Sequence, residues 1–386
     1  MKVKENVLTI GFTAGTLFDM KEAEDIFEKA PDNEKQKRYR DFFQKMNEKG
    51  ETFSVGPALG LYIALQELKG KVPEDVMQIR FGLSSKFDSA HPGAVTLFNS
   101  IEKYMMSDGK HHAPDYHALT GGFEQASKHK IQDADLVFTS SKNSANLYYN
   151  NGMASVFIPN RSAKLNNLSY KNRNNNINIY CDYDGVIGDV DSETVYQVAK
   201  QMKDVNPVNT FRDHEVLNSK NLMELGPLGD VLKKFGKIVS YYQDKLLTTN
   251  LKEEDIPFKT VLLTARGGGA AIRAFNTLNS KGISLSQCLF MDGVNKNEAL
   301  SQAHKSEITL FLDDGEAHFD RAVMLDNIIP GYVPNELTVG NINLEERYQK
   351  LSEQIRVTSE LQKKAGLSLA ESGAKSSQKR EIKPTR

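Results

Sequence analysis

Short apolar runs rich in β-branched residues alternate along the chain with longer segments of helical periodicity. Runs of this length predict strands that are buried on both faces of a sheet. Helix-like segments such as GAVTLFNSIEKYM and AAIRAFNTLNSKG lie between them. This alternation predicts a parallel sheet covered by helices on both faces. The predicted strands are NVLTIGF (6–12), VMQIRFGL (76–83), DLVFTSS (135–141), INIYCDY (177–183), KTVLLTAR (259–266), CLFMDG (288–293) and ITLFLDDG (308–315).

The same pattern occurs twice. GTLFD at 15–19 matches GVIGD at 185–189, and GPALGLYIALQEL from Gly56 matches GPLGDVLKKFGKI from Gly226, both at an offset of 170 residues. Further along, GAVTLFNSI matches GAAIRAFNTL, and DLVFTSS matches ITLFLDD. Several matches in one order favour duplication of an α/β unit over the general likeness of any two α/β domains.

Composition and charge argue against a nucleic-acid-binding protein and against a membrane-spanning one. The chain has 386 residues, 39% hydrophobic and 26% charged, with a formal net charge of -1. That charge argues against a nucleic-acid polymer held by bulk electrostatics. No apolar run reaches membrane-spanning length, and the two cysteines, Cys181 and Cys288, are typical of reduced thiols. We therefore expect a soluble, cytoplasmic protein that does not engage a membrane.

One stretch carries unusual charge. NIYCDYDGVIGDVDSE (178–193) places Asp182 and Asp184 where a buried strand should end. Like charges this close raise the free energy of the fold unless a cation lies between them. Side chains two apart on an extended chain share one side, and Gly185 allows a sharp turn after them. Two carboxylates at a strand end suit a magnesium ion and a phosphate.

Two other interpretations of this stretch are open. Counted from Asp182, a calcium loop would place acids at positions one and three and Glu193 at position twelve. Its sixth position requires glycine but holds Ile187, and a strand rather than a helix precedes it. The stretch could also be an acidic turn without a ligand.

Three further strand ends carry polar groups. Thr264 ends a strand before the glycines of TARGGGA, where a hydroxyl and free backbone N–H groups suit a phosphate oxygen. Lys296 begins a helix after FMDGVN and can neutralise phosphate charge. Asp313 and Asp314 follow the apolar run ITLFL, where adjacent acids are costly unless they bind a cation. Taken singly, a tight turn or a solvated lysine explains the first two equally well.

In this order the four elements resemble the four motifs of the haloacid dehalogenase-like phosphatase superfamily. Within it the chain looks most like the type I cytosolic 5′-nucleotidases. The resemblance covers roughly residues 5 to 335. The segments that carry it are DYDGVIGDVDSE, GPL at 226, LLTAR at 262, NK at 295 and DDGEAHF at 313, with LFDM at 17, GPA at 56, FNSIEKY at 98 and LTGG at 119 in the first half.

The resemblance implies a role for each of these side chains. Asp182 would attack phosphorus to give an aspartyl-phosphate, and Asp184 would act as general acid and then general base. Mg²⁺ would be held by Asp182, the backbone carbonyl of Asp184, Asp313 and Asp314. The substrate-binding residues would be Thr264, Ala265, Arg266 and Lys296. His318 could hold a neighbouring group or lie on the surface, and a zinc site at His111, His112 and His117 is disfavoured by its spacing.

The resemblance also implies a fold and a division of the chain. We expect a Rossmann-like parallel sheet of the haloacid dehalogenase-like type with a small helical cap, preceded by a degenerate α/β half of similar pattern. Phe211 of the cap could stack on a base or lie in the core. Gly188 and Asp189 depart from the family pattern, which puts base preference in doubt. The predicted segments are 1–161 (half without catalytic acids), 162–176 (Asn-rich linker), 177–340 (catalytic domain, cap about 190–258) and 341–386 (helical and disordered tail).

The functional expectation is a magnesium-dependent 5′-nucleotidase that hydrolyses nucleoside 5′-monophosphates, most plausibly AMP or a related purine nucleotide. The alternative is a phosphatase of another small phosphomonoester, such as a sugar phosphate. A third class, a nucleotide-sensing scaffold with a vestigial site, would lack a catalytic group, and no such gap is visible. A homo-oligomer is left open.

Overall fold

The computed structural model describes residues 5–109, 111–161, 165–166, 175–201, 206–303, 306–340, 343, 346, 349 and 353. The predicted linker (162–176) and the predicted helical and disordered tail (341–386) lie almost entirely outside these residues. All seven strands predicted from apolar runs are present, and the predicted parallel sheet is confirmed.

The first half of the chain builds five strands of the large sheet and a small hairpin-like pair, β2 and β3. Its elements are β1 (Val7–Thr13), α1 (Ala14–Leu17), β2 (Phe18–Asp19), α2 (Lys21–Lys29), α3 (Lys35–Glu48), β3 (Ser54–Val55), α4 (Leu59–Lys69), β4 (Gln78–Ser85), α5 (Pro92–Ile101), β5 (Tyr116–Leu119), α6 (Gln125–Ile131), β6 (Leu136–Thr139), α7 (Lys142–Asn150) and β7 (Ala154–Phe157).

The second half repeats this order. Its elements are β8 (Ile177–Cys181), α8 (Asp191–Gln201), α9 (Pro207–Leu217), α10 (Gly229–Thr248), β9 (Phe258–Thr264), α11 (Gly268–Lys281), β10 (Gln287–Phe290), α12 (Lys296–Ser301), β11 (Ile308–Asp313), α13 (Glu316–Val323) and β12 (Ile328–Tyr332). Among the described helices, none is long and apolar enough to cross a membrane.

Both halves share one ten-stranded sheet, ordered β10-β9-β8-β11-β12-β7-β6-β1-β4-β5. Numbered within its own half, each set of five strands runs 3-2-1-4-5, an order of doubly wound sheets. Pairing is parallel within each half, and the halves join where Tyr332 of β12 pairs antiparallel with Phe157 of β7. The two units of the repeat therefore form a single layer rather than two separate sheets.

The packing of helices also ties the halves together. The equivalent helices α4 and α10 each contact strands of the other half, α4 on β8 and β11 and α10 on β1. Lys234 of α10 is almost buried and donates to the carbonyl of Val7 at 2.7 Å and to Asp135 at 2.6 Å. Asp135 accepts in turn from the backbone N–H of Thr9 at 2.8 Å. This ion pair fixes α10 on the first half.

An insertion of two helices leaves each half at the same point. In the first half α2 and α3 leave between β2 and β3, where Phe18 pairs with Val55. In the second half α8 and α9 leave between Gly188 and Leu225, which form a single antiparallel bridge. Helix α10 lies on strands β9 and β1. The limits of the cap, about 190–258, stay a prediction, and this packing favours an insertion that ends before α10.

Candidate active site

A cavity of about 600 Å³ opens at the carboxyl edge of the second half. It lies beside the point where strand order reverses between β8 and β11, which is where open α/β sheets bind ligands. All eight side chains proposed from the sequence line it: Asp182, Asp184, Thr264, Ala265, Arg266, Lys296, Asp313 and Asp314. The structure thus brings together four segments that are up to 132 residues apart in the chain, from 182 to 314.

Lys296 bridges the two central carboxylates. Its Nζ lies 2.6 Å from Asp182 Oδ2 and 2.7 Å from Asp313 Oδ2. Lys296 is the first residue of α12, and Asn295 caps that helix by accepting from the backbone N–H of Asn297 at 3.0 Å. Burial alone would lower the pKa of Lys296, but the two aspartates raise it above its ordinary range. The lysine is therefore held charged at the centre of the site.

Asp314 is fixed by a tight turn. Its Oδ2 accepts from Asn335 Nδ2 at 2.6 Å, and Asn335 also donates to the carbonyl of Gly185 at 3.3 Å. Gly185 has φ of 67°, and a Cβ there would collide with the Asp314 carboxylate. Only glycine suits this backbone and this close approach. The turn at Gly185, after Asp182 and Asp184, thereby helps to hold Asp314 in place through Asn335.

Three carboxylates converge closely enough to hold one metal ion. Oxygens of Asp182, Asp313 and Asp314 lie within 4.8 Å of one another, and within the described part of the chain this is the one such group of acids, histidines or cysteines. Oxygen donors of this type suit Mg²⁺. His111, His112 and His117 do not belong to such a group.

The charges of the four aspartates also favour a bound cation. The four aspartates of the site face two cationic side chains, Lys296 and Arg266. Burial raises the pKa of Asp182, and Lys296 only partly offsets that rise. Burial, followed by the charges of Asp313 and Asp182, raises the pKa of Asp314 well above its ordinary value. A dication among these oxygens would reverse that balance.

Arg266 grips Asp184 rather than pointing freely into the cavity. Its Nε and Nη2 donate to the two oxygens of Asp184 at 2.9 and 2.6 Å, a bidentate pair. Burial raises the pKa of Asp184, and Arg266 opposes that rise. Arg266 is 2% exposed, so its predicted role in binding substrate stays a prediction, and its visible contact is with a predicted catalytic acid.

The same arginine reaches a buried acid of the cap. Arg266 Nη1 donates to Glu215 of α9, and Arg273 Nη1 donates to the other oxygen of Glu215 at 2.8 Å. Ser192 of α8 donates to Glu215 at 2.8 Å. Burial would raise the pKa of Glu215, but the two arginines lower it below its ordinary value. No signal in the sequence marked Glu215, because an acid within a polar helix such as PVNTFRDHEVL is normally exposed.

The two inserted helices of the second half, α8 and α9, supply another wall of the cavity. Tyr196 and Gln197 of α8 and Val208 and Phe211 of α9 line it. The Phe211 ring lies 5.4 Å from Arg266 Cζ, a cation–π contact that holds the ring at the cavity wall. Apolar and amide groups in this position can enclose an organic group attached to a phosphate.

An acid missed as a site residue also lies on this wall. Glu193 accepts from Gln197 Nε2 at 2.6 Å, and burial raises its pKa to about 7 although that hydrogen bond acts to lower it. Sequence analysis did not select Glu193, because the sequence does not show how close this part of the chain lies to the sheet edge.

The hydroxyl and imidazole candidates have distinct surroundings. Thr264 is buried and its Oγ1 accepts from the backbone N–H of Arg266 at 3.3 Å. His318 lines the cavity, and its Nδ1 has no hydrogen-bond partner among the described residues. Burial lowers the pKa of His318, as do the charges of nearby cations. A half-buried neutral imidazole at the rim therefore agrees better with the neighbouring-group role than with a surface position.

Comparison with known proteins gives one result for function. No solved structure matches the chain. A model of the 5′-nucleotidase family matches residues 1–338, which include both halves and the whole cavity. Membership of that family implies hydrolysis of nucleotide monophosphates, so the protein is a phosphomonoester hydrolase. With its acidic cluster at the sheet's reversal point and a family match over most of its length, this chain belongs to the 5′-nucleotidase family.

Proposed function

We propose that this protein is a magnesium-dependent 5′-nucleotidase of the haloacid dehalogenase-like type that works through an aspartyl-phosphate on Asp182. The observation that carries the proposal is the convergence of Asp182, Asp313 and Asp314 around one point, with Lys296 bridging the first two. The 3-2-1-4-5 strand order of the second half supports the fold assignment. The cytoplasmic location and a homo-oligomeric state remain expectations.

The carboxylates of Asp182, Asp313 and Asp314, with the backbone carbonyl of Asp184, would hold Mg²⁺. When bound, the ion would supply positive charge that polarises the phosphoryl group and reduces the repulsion between its oxygens and the attacking carboxylate. Burial first, and then the charge of neighbouring aspartates, raises the pKa of Asp182 and of Asp314, so added positive charge would favour their ionised forms. The donor set therefore fits the ion chemically.

In the first step, an Asp182 oxygen forms a bond to phosphorus while the bond from phosphorus to the 5′-oxygen breaks. Asp184 gives its proton to that departing oxygen, so the nucleoside leaves as a neutral alcohol. In the second step, Asp184 takes a proton from water, and the water oxygen bonds to phosphorus. The bond between phosphorus and Asp182 breaks, which releases inorganic phosphate and restores both carboxyl groups.

Lys296 and Thr264 would stabilise the phosphoryl oxygens during both steps. Lys296 is 1% exposed and stays charged between its two aspartates, so its field acts at short range in a site of low polarity. Thr264 offers a hydroxyl at the end of β9, and the chain then turns into α11 through residues 265–267. Backbone N–H groups at such a helix start favour an anion.

The nucleoside would occupy the cap side of the cavity. Phe211, Tyr196 and Gln197 would contact the base, the first two by stacking and the third by hydrogen bonds. A cavity of about 600 Å³ is large enough for a purine nucleoside monophosphate. We therefore favour AMP or a related purine nucleotide as substrate, with closure of α8 and α9 excluding water from the reaction.

The test is phosphate release from a panel of nucleoside monophosphates, sugar phosphates and p-nitrophenyl phosphate, with Mg²⁺, with Ca²⁺ and with a chelator. We expect turnover of purine 5′-monophosphates with Mg²⁺ and at least about a 100-fold loss with the chelator, because the phosphoryl charge is then unscreened. Preference for sugar phosphates would support the alternative substrate class. No turnover of any ester with Mg²⁺ would overturn the proposal.

A further inference from the structure

A continuous set of buried charges connects the cap to the predicted general acid. Glu215 on α9 is fully buried and accepts from Arg266, Arg273 and Ser192. Arg266 in turn holds both oxygens of Asp184. The contacts therefore connect helices α8 and α9 to Arg266 in the loop after β9, and Arg266 to Asp184 in the turn after β8.

Arg266 has no freedom to swing away from this arrangement. Besides Asp184 and Glu215, Nη1 donates to the carbonyl of Ala270 at 3.2 Å, and Nη2 lies 3.4 Å from Met223 Sδ. The guanidinium also lies 4.7 Å from the centre of the Tyr183 ring and 5.4 Å from that of Phe211. The guanidinium is thus held by polar contacts on its edges and by two aromatic rings.

A fixed guanidinium fixes the carboxylate that it grips. Because the pairing with Asp184 is bidentate, the plane of the Asp184 carboxyl group follows that of Arg266. Glu215 is the single carboxylate that holds the opposite edge of Arg266 in the described residues. An acid buried so deeply raises the free energy of the fold unless it is paired, which explains why two arginines are committed to it.

Resting on the proposed function, we infer that Glu215 is a positioning residue: through Arg266 it sets the orientation in which Asp184 delivers its proton to the leaving 5′-oxygen. Since Glu215 lies on α9, a cap helix, seating of the cap and alignment of Asp184 are one event. Glu215 itself does not touch the substrate. In formation of the aspartyl-phosphate, its influence is confined to substrates whose leaving group needs a proton.

Leaving groups separate this role from simple support of the fold. Departure of an alkoxide such as a nucleoside 5′-oxygen requires protonation, whereas nitrophenolate leaves without a proton. A mispositioned Asp184 therefore slows formation of the aspartyl-phosphate from AMP, which kcat/KM measures, while its formation from p-nitrophenyl phosphate continues. A smaller active fraction of enzyme slows both esters by the same factor.

The experiment compares kcat/KM for AMP and for p-nitrophenyl phosphate in wild type, Glu215→Gln and Glu215→Asp. We expect Glu215→Gln to lower kcat/KM for AMP by about 10- to 100-fold, part of the contribution of a general acid, with less than about a 3-fold change for the aryl ester. The second step, in which Asp184 acts as general base, follows departure of the leaving group and so does not enter kcat/KM. Glu215→Asp keeps the charge and should recover part of the AMP rate.

The matched control is Asp213→Asn, an equal acid-to-amide change on the exposed face of the same helix. It should leave the ratio of the two rates at the wild-type value. Should Glu215→Gln fail to fold, Ser192→Ala removes one partner of Glu215 and should shift the ratio in the same direction by about 3-fold.

The outcomes are distinguishable. An equal loss on both esters, or an unchanged ratio, overturns the role of Glu215 and leaves the nucleotidase assignment standing. Wild type that hydrolyses neither ester overturns the proposed function itself. A selective loss on AMP supports the inference.

Discussion

The two halves of this protein share one strand order, but equivalent strand ends carry aromatic residues in the first half and acidic residues in the second. Strand registers make the positions comparable: Val7 pairs with Gln78 in the first half as Ile177 pairs with Phe258 in the second. Where the second half has Asp182, the first has Phe12. That ring stacks on Phe138 with centroids 5.1 Å apart, whereas Asp182 meets its neighbouring acid through a lysine.

Register also corrects the alignment of the repeat. Sequence matching places Ser140 and Ser141 opposite the Asp pair of the second half. The hydrogen-bond ladder instead pairs Phe12 with Phe138, just as the chain that follows Cys181 and Leu312 brings Asp182 beside Asp313. The loops before β6 and β11 differ in length, so a constant offset in sequence fails there.

The inserted helices differ in the same way. In the first half, Phe43 of α3 is fully buried and packs edge-to-face on Phe87 at 5.2 Å and beside His91 at 5.7 Å. Aromatic rings thus fill the space over the sheet edge. In the second half the corresponding helices leave a cavity walled by Tyr196 and Phe211.

The comparison shows what a site requires of a scaffold. Close-packed rings stabilise the first half through burial alone. Clustered acids in the second half oppose folding and are paired with Lys296 and Arg266, and the proposed Mg²⁺ would add further positive charge. The same topology can therefore hold packed aromatic rings or clustered charges at this edge of the sheet. In this protein, a cavity lined by acids is present in the half with the charges.

The largest expected effect is on turnover. Asp182→Asn removes the attacking carboxylate, so we expect kcat for AMP to fall by roughly 1,000-fold or more. Circular dichroism and the melting temperature should stay near wild type, because asparagine is isosteric. The change at the equivalent position of the other half, Phe12→Leu, should leave kcat within about 3-fold. Persistent turnover in Asp182→Asn would show that the nucleophile is misassigned.

The next largest effect is on stability of the first half. Phe138→Ala should lower the free energy of unfolding by about 3–5 kcal/mol, since it removes a buried ring and its stacking contact with Phe12. We expect kcat of the folded enzyme to be unchanged. Urea unfolding and activity at low urea measure both quantities. A loss below about 1 kcal/mol would contradict a packed aromatic core at this edge.

The smallest effect depends on pH. His129 is buried, and burial lowers its pKa from an ordinary value of 6.5 to about 4. Its Nε2 bonds Ser84 Oγ at 2.7 Å, and Ser84 is the register counterpart of Thr264. The unfolded chain takes up the proton first, so this contribution is complete above pH 6.5 and is lost as pH falls toward 4.

Urea unfolding at pH 6.5 and pH 5 measures the difference. Wild type should lose about 2 kcal/mol more than His129→Asn over this interval. Equal losses in the two proteins would mean that His129 is charged or accessible in the fold.

Much of the architecture followed from local pattern. Seven apolar runs predicted seven strands of the sheet, because a strand covered on both faces needs little beyond continuous apolar residues. Strands β5, β7 and β12 were missed, since YHAL, ASVF and IIPGY are short or contain proline and glycine. The cap limits could not be read either, because α10 is as amphipathic as a cap helix.

The sequence by itself determined seven of the ten strands of the large sheet, the repeat, and eight residues that line one cavity, since each of these follows from periodicity or from polar residues at strand ends. Only the tertiary structure decided that both halves form one sheet, that Phe138 rather than a serine lies opposite Asp313, and that Glu215 is buried against two arginines. The physical reason is distance along the chain. Register, burial and ion pairing depend on which segments meet, and no local pattern specifies that.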